Sequence, residues 1–372
     1  MNLERKQFID NLRWMDVFLL IPYHAAQAFN TWGELNYICF EPDKAISSFI
    51  VFFSPFFMPL LFLLAGMSSR YALTKRTYGQ YIVERVKRLL IPLVFGTLIF
   101  CPILAFFGDK NNYGYQGGLF EHYRVFLTKL TDLTGFDGGF NVGQFWFLLY
   151  LFIISLVSVG IIAATKKAIK NQTGNLHLPF GVISLAVIPL PFLYDLLSIG
   201  GKSFAEYIYI FLIGFYVLSH DEVIEKVEKY RYISLTVGLA AAFINVYMFI
   251  WSGRDFGMIN VTVKAFAEWF MILALIGIGK SKLDFRNRIT VYMSQRSFPF
   301  FSLHFLWIVL FQYWFSGVWA DNNVLLFLVP TVCAYAAALV SAEVCLKVPV
   351  LCILMGTKKH PKRTGNDRTD RS

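Results

Sequence analysis

The stretch "FIDNLRWMDVFLLIPYHAA" (8–26) sets Asp10, Arg13, Asp16 and His24 into an apolar run. Arg13 and His24 are eleven residues apart. At about 100° per residue that is three turns plus about 20°, so a helix carries both on one face, about 16 Å apart along its axis. Asp10 precedes Arg13 by three residues and Asp16 follows it by three, so either carboxylate can face the guanidinium. An imidazole at that depth is suited to proton exchange near neutral pH. The bland alternative is an arginine snorkelling to the interface and a histidine bonded to a neighbouring helix. Ionisable groups inside a membrane segment still point to function, because their burial must be offset by partners or water.

Other apolar runs carry polar side chains too. Lys264 and Glu268 are four residues apart, the spacing of an ion pair that would face a helix-bundle interior as a structural pair or a substrate contact. His304 lies about six residues into a late apolar run, where a satisfied structural histidine and a substrate contact fit equally well. Glu343 is placed to pair with Lys347. Four of the five cysteines sit in apolar runs and read as small fillers, with no disulfide framework or metal-ligand spacing.

The elements that must position these groups are membrane helices. Of the 372 residues, 56% are hydrophobic and 16% charged, against about 25% charged in a soluble domain. The chain therefore reads as an all-α polytopic membrane protein embedded in a lipid bilayer. About ten spans are expected, at 12–30, 46–67, 89–108, 144–164, 179–197, 203–219, 232–251, 261–279, 298–316 and 323–346. They form one transmembrane domain, 1–356, followed by a polar tail, 357–372. Ala26-Gln27-Ala28 resembles a signal-peptide cleavage site, but Asp16, Pro22 and His24 are residues that a signal core avoids, so the first helix is read as retained.

With both termini in the cytoplasm, the outside loops hold only six basic residues: Lys44, Lys110, Arg124, Lys129, Lys202 and Arg254. The rest lie almost entirely on the inside, as the positive-inside rule requires. The net charge of +10 is thereby placed at a membrane face and argues against nucleic acid as a partner. The longest outside loop, Gly108 to Gly143, is glycine-rich and contains an amphipathic helix in "LFEHYRVFLTKL"; it reads equally as a connector or a functional loop. The aromatic "FQYWFSGVW" reads first as an interfacial belt and second as a surface for stacking sugar rings.

These stretches together resemble the acyltransferase-3 family of polytopic membrane proteins. A basic residue, ten intervening positions and a histidine mark that family's first helix, here Arg13 and His24. An Arg-x-x-Arg at the cytoplasmic start of the third helix is matched in "ERVKRLLIP" by Arg85 and Arg88. The preceding "FMPLLFLLAGMSSRYALTKR" resembles the second helix, "GQFWFLLYLF" the Trp-Phe-Leu helix start with Trp146, and "SFPFFSLHFLWIVL" the late helix with His304. "LIPYHAA" and "FPFFSLHF" are similar to the glucan-modifying branch.

The resemblance implies transfer of an acyl group, acetyl or succinyl, from cytoplasmic acyl-CoA (acetyl-CoA first) to a hydroxyl of an extracytoplasmic glycan or glycolipid in a bacterial plasma membrane. His24 would be the general base, or form a transient acyl-histidine. Arg13, held by Asp10, would orient the donor, and Arg85 and Arg88 on one helical face would hold CoA phosphates. Trp146, Lys264, Glu268 and His304 would contact or support substrate. No resident cofactor or metal is implied. The extra esterase-like domain common in the family is missing, so transfer would finish in this domain or with a partner. A competing reading is a transporter or flippase of a glycan or small anion, with His24 and Glu268 as a proton relay; a scaffold in envelope assembly is a third.

Overall fold

The computed structural model describes residues 6–169, 176–319 and 322–357; all but the first residue of the polar tail expected at 357–372 lies outside them. The chain is a bundle of helices with one two-stranded hairpin. Among the described residues, seven helical segments are long and apolar enough to cross a membrane, and they coincide with seven of the expected spans.

Helix α1 (Gln7–Gln27) stands at the centre, packed on α2 (Lys44–Phe53), α3 (Phe57–Leu73), α14 (Met258–Lys282), α15 (Arg288–Ser316) and α16 (Asn323–Lys347). Its three charged residues make it too polar for a lipid-facing span. Enclosure by other helices removes that requirement, because neighbours rather than lipid meet its polar groups. Its start is tied to the turn after α14: the Phe8 amide donates to Asp284 Oδ1 at 3.2 Å, and Asn11 Nδ2 to the carbonyls of Leu283 and Phe285 at 2.7 and 2.9 Å.

Helices α2 and α3 form one broken span, capped where Asp43 accepts the amides of Ala45 and Ile46. The next span, Tyr78–Tyr113, joins α4 (Tyr78–Arg85), a π turn (Val86–Leu90), α5 (Ile91–Ile99) and α6 (Cys101–Tyr113). A Thr77–Gln80 capping box starts it, and Pro92 and Pro102 open its later segments, where a missing amide costs nothing.

The expected helix in the long loop is α7 (Leu119–Thr128), followed by α8 (Trp146–Ile169). The expected span 179–197 is interrupted ahead of Pro189, giving α9 (Phe180–Ser184) and α10 (Leu190–Leu193), with Pro191 in the first turn of α10. The hairpin β1 (Ser198–Ile199) and β2 (Lys202–Ser203) leads to α11 (Phe204–Tyr216). Here the expected span 203–219 stops early, and the chain bends by 107° into α12 (Asp221–Lys229). Helices α13 (Arg231–Val246, extended by a π turn to Trp251), α14, α15, α16 and the short α17 (Pro349–Leu354) complete the bundle.

Small residues set a close crossing between α3 and α11. A Cβ on Gly66 of α3 would collide with the Phe211 carbonyl, and one on Gly214 of α11 with the Leu63 carbonyl. Only glycine allows these backbones so near each other. At the end of the bundle holding the first residue of α1, Lys6 pairs with Asp221, Arg296 with Glu343, and Gly356 packs on the backbone of Arg88. The expected Glu343–Lys347 pairing is replaced by Arg296 and by the Tyr292 hydroxyl at 2.6 Å.

At the opposite end, the long loop is fastened down. Asn112 Nδ2 donates to the carbonyls of Asn36 and Phe136 at 2.8 and 2.9 Å, Tyr37 Oη to Asn141 Oδ1 at 3.0 Å, and buried His122 meets Asp109 at 3.2 Å.

Candidate functional site

Arg13 is held where the helical spacing places it. Its Nη1 is 3.1 Å from Asp10 Oδ1, and its Nη2 donates to Ser68 Oγ at 2.8 Å and lies 3.5 Å from the Leu64 carbonyl, both on α3. Asp16 does not join this group. It is buried, and its Oδ2 has no hydrogen-bond partner among the described residues.

Parallel packing of α1 on α15 brings His24 to His304. Phe18 stacks on Phe300 with centroids 4.3 Å apart, and Gln312 Nε2 donates to the Ala25 carbonyl at 2.9 Å, so the register is fixed on both sides of His24. The two imidazole centroids are then 5.3 Å apart, and Phe305 stacks on His24 at 4.4 Å. His24 is half-buried and His304 fully buried. His304 Nδ1 is 2.6 Å from the Phe301 carbonyl, which can only accept, so Nδ1 carries the proton. Its Nε2 is left as a buried atom with no partner among the described residues. Sequence placed both histidines in spans but gave no sign that they meet.

Trp146 opens α8. Gln144 Nε2, two residues earlier, donates to the Ser302 carbonyl at 3.1 Å and ties the helix start to α15. The indole packs against Tyr150 at 5.4 Å and Tyr207 at 5.6 Å, and Tyr207 stacks on Phe62 at 4.4 Å. Lys202 of the hairpin stands over the indole with Nζ 5.1 Å from its centroid, close enough for its charge to act on His24. Lys202 was legible only as a loop charge, and Glu34, which acts on it in turn, was not singled out by the sequence.

The expected Lys264–Glu268 ion pair does not form. Lys264 Nζ lies instead over the Tyr194 ring, 3.5 Å from its centroid. Glu268 is buried, its Oε1 without a partner among the described residues, in the field of a second buried carboxylate, Glu206 on α11, which the sequence did not single out. Position i+4 gave the right face, but the aromatic ring competes for the ammonium.

Arg85 and Arg88 lie at the opposite end, where α4 gives way to the π turn. Arg85 packs on Tyr81 at 4.5 Å, with its Nε buried and without a partner among the described residues, while Arg88 Nε pairs with Glu84 at 3.1 Å. A π turn begins at Val86, between the two arginines, and each guanidinium has its own neighbour. Among the described residues no group of three or more His, Cys, Asp and Glu side chains is placed to hold a metal ion.

A family described as an acyltransferase domain, acyltransferase-3, matches residues 6–343. The chain belongs to the acyltransferase-3 family. It is thus a membrane acyltransferase, as its first helix implied. Glucans biosynthesis protein C of Salmonella typhimurium is 24% identical over 387 residues, covering 96% of each chain. The proteins of that name from Salmonella heidelberg and Salmonella typhi are also 24% identical, with the same coverage. No solved structure matches the chain.

Proposed function

We propose that the protein transfers an acyl group from cytoplasmic acyl-CoA to a hydroxyl of an extracytoplasmic glycan or glycolipid, in the plasma membrane of a bacterium. Acetyl is the first donor group and succinyl the second. The name shared by the Salmonella relatives supports a glucan acceptor. In this reading α1, the 180–193 segment and the bent α11–α12 pair lie in the membrane with the seven apolar spans, giving ten, with both termini cytoplasmic.

The observation that carries the reading is the His24–His304 pair, 5.3 Å apart, with His24 on the same helix that holds Arg13 and His304 on α15. His24 takes the proton of the acceptor hydroxyl as its oxygen attacks the thioester carbonyl carbon. The carbon–sulfur bond breaks, and the proton leaves with the CoA sulfur. His304, its tautomer set by the Phe301 carbonyl, offers Nε2 as a second acceptor on the proton's path. Arg13, fixed by Asp10 and Ser68, balances the donor's charge on the cytoplasmic side of His24. Arg85 and Arg88 receive the CoA phosphates, each leaving its present neighbour for a stronger charge-assisted partner. Trp146 presents an aromatic face to the sugar, with Lys264 and Glu268 near the acceptor's path.

The test is purified protein in liposomes, supplied with acetyl-CoA or succinyl-CoA and a glucose oligosaccharide. CoA release that requires the oligosaccharide, together with an acylated product seen by mass spectrometry, is the expected result. Passage of the oligosaccharide across the bilayer with no acyl donor present would establish transport instead.

A further inference from the structure

Lys202 is the one charged side chain of the hairpin, and its backbone is fixed on both sides. Tyr150 Oη donates to the Lys202 carbonyl at 3.0 Å and lies 3.5 Å from that of Ile199. Ser203 Oγ meets the carbonyls of Leu193 and Leu196 at 2.6 and 2.9 Å and accepts the Glu206 amide at 3.1 Å. Gly200 and Gly201, at φ of 56° and 70°, make the turn that folds the strand back.

The ammonium so placed donates to the Gly200 carbonyl at 3.0 Å and faces the Trp146 indole. Among the described residues no carboxylate lies within ion-pair distance of it. Burial pulls Lys202 down from its ordinary lysine value, and the more distant Glu34 offsets part of that pull. A partly desolvated cation with no paired anion is costly, and a bound anion removes the cost.

We propose that Lys202 is a specificity-determining residue that binds a substrate carboxylate on the Trp146 face, beside His24. The proposal rests on the acyl-transfer reading and names the substrate chemistry of that site. One N–H of the ammonium is spent on Gly200, and the two that remain suit the single charge of a carboxylate. A phosphate monoester, carrying about −1.5 to −2, would be left under-compensated. The carboxylate has two possible sources: the far end of a dicarboxylic acyl group, or an acidic substituent on the acceptor sugar.

Wild-type, Lys202→Met and Lys202→Arg proteins in liposomes are each given acetyl-CoA or succinyl-CoA. Each donor is paired with a glucose oligosaccharide or with the same oligosaccharide ending in glucuronate. The readout is the ratio of kcat/KM for the anionic over the neutral substrate on each arm. We expect Lys202→Met to lower one of these ratios about tenfold or more, with Lys202→Arg retaining most of it. A fall on the donor arm assigns the carboxylate to the acyl group, and a fall on the acceptor arm assigns it to the sugar. Equal ratios in wild type and Lys202→Met overturn the proposal.

Absence of CoA release with every pair overturns the acyl-transfer reading instead. Carboxylate binding is then decided by heat denaturation with succinate against its uncharged diamide. Stabilisation by succinate that is present in wild type and lost in Lys202→Met supports Lys202, and no difference between the two proteins overturns it.

Discussion

The imidazoles of His24 and His304 lie 5.3 Å apart with their planes inclined at 37°, although they come from opposite ends of the chain. The Phe301 carbonyl at 2.6 Å orients the second ring, so its free nitrogen is defined before any substrate arrives. His304→Asn can keep the bond to Phe301 while removing Nε2. It should lower kcat by about 10²–10⁴, as loss of a positioned proton acceptor does, with little change in KM for acyl-CoA. The pH profile of CoA release should move as well. Full activity in His304→Asn would reduce His304 to a structural residue.

Arg85→Gln and Arg88→Gln should each raise KM for acyl-CoA by about tenfold or more, the effect of losing one charge-assisted bond to phosphate. The two effects should differ, because Arg85 rests on Tyr81 and Arg88 on Glu84. Initial rates at varied donor concentration measure this. Unchanged donor KM in both variants would leave the pair as interfacial charge.

His122 is held below its ordinary value, because burial disfavours the imidazolium more than Asp109 favours it. The folded protein therefore takes up this proton less readily than the unfolded chain. The stabilisation is complete above about pH 6.5 and is lost as pH falls below that value. The thermal midpoint of the purified protein should drop between pH 7.5 and 5, and His122→Gln should make that drop shallower. Equal slopes in the two proteins would contradict the assignment.

Gly66→Ala and Gly214→Ala should each destabilise the protein by about 1–3 kcal/mol, the usual cost of overpacking. Each added methyl meets a main-chain carbonyl on the facing helix, which cannot swing aside as a side chain can. Thermal midpoints report the loss. Gly79→Ala, where no atom lies within 4 Å of the added methyl, is the control.

Seven spans were legible because an apolar run facing lipid can hardly be anything else. The Asp10–Arg13 contact was legible because both groups sit on one regular helix. Asp16 shared the required spacing with Arg13, yet packing turned it elsewhere. Between Arg85 and Arg88 a π turn begins, a local irregularity that the spacing of the two residues did not reveal. The Lys264–Glu268 pair failed because Tyr194, remote in sequence, takes the ammonium. Lys202 was read as an outside loop charge, since only the folded hairpin carries it over Trp146. Short-range spacing shows which pairs a helix permits; groups gathered from separate elements, such as Tyr194 over Lys264, decide which of them form.

The central claim, acyl transfer with His24 as base, is tested most directly by CoA release from acyl-CoA in liposomes, with His24→Ala beside wild type. Both proteins must elute as folded, monodisperse species. The account predicts acceptor-dependent release in wild type and a fall of at least about 10²-fold in His24→Ala. Turnover at the wild-type rate in His24→Ala would contradict it.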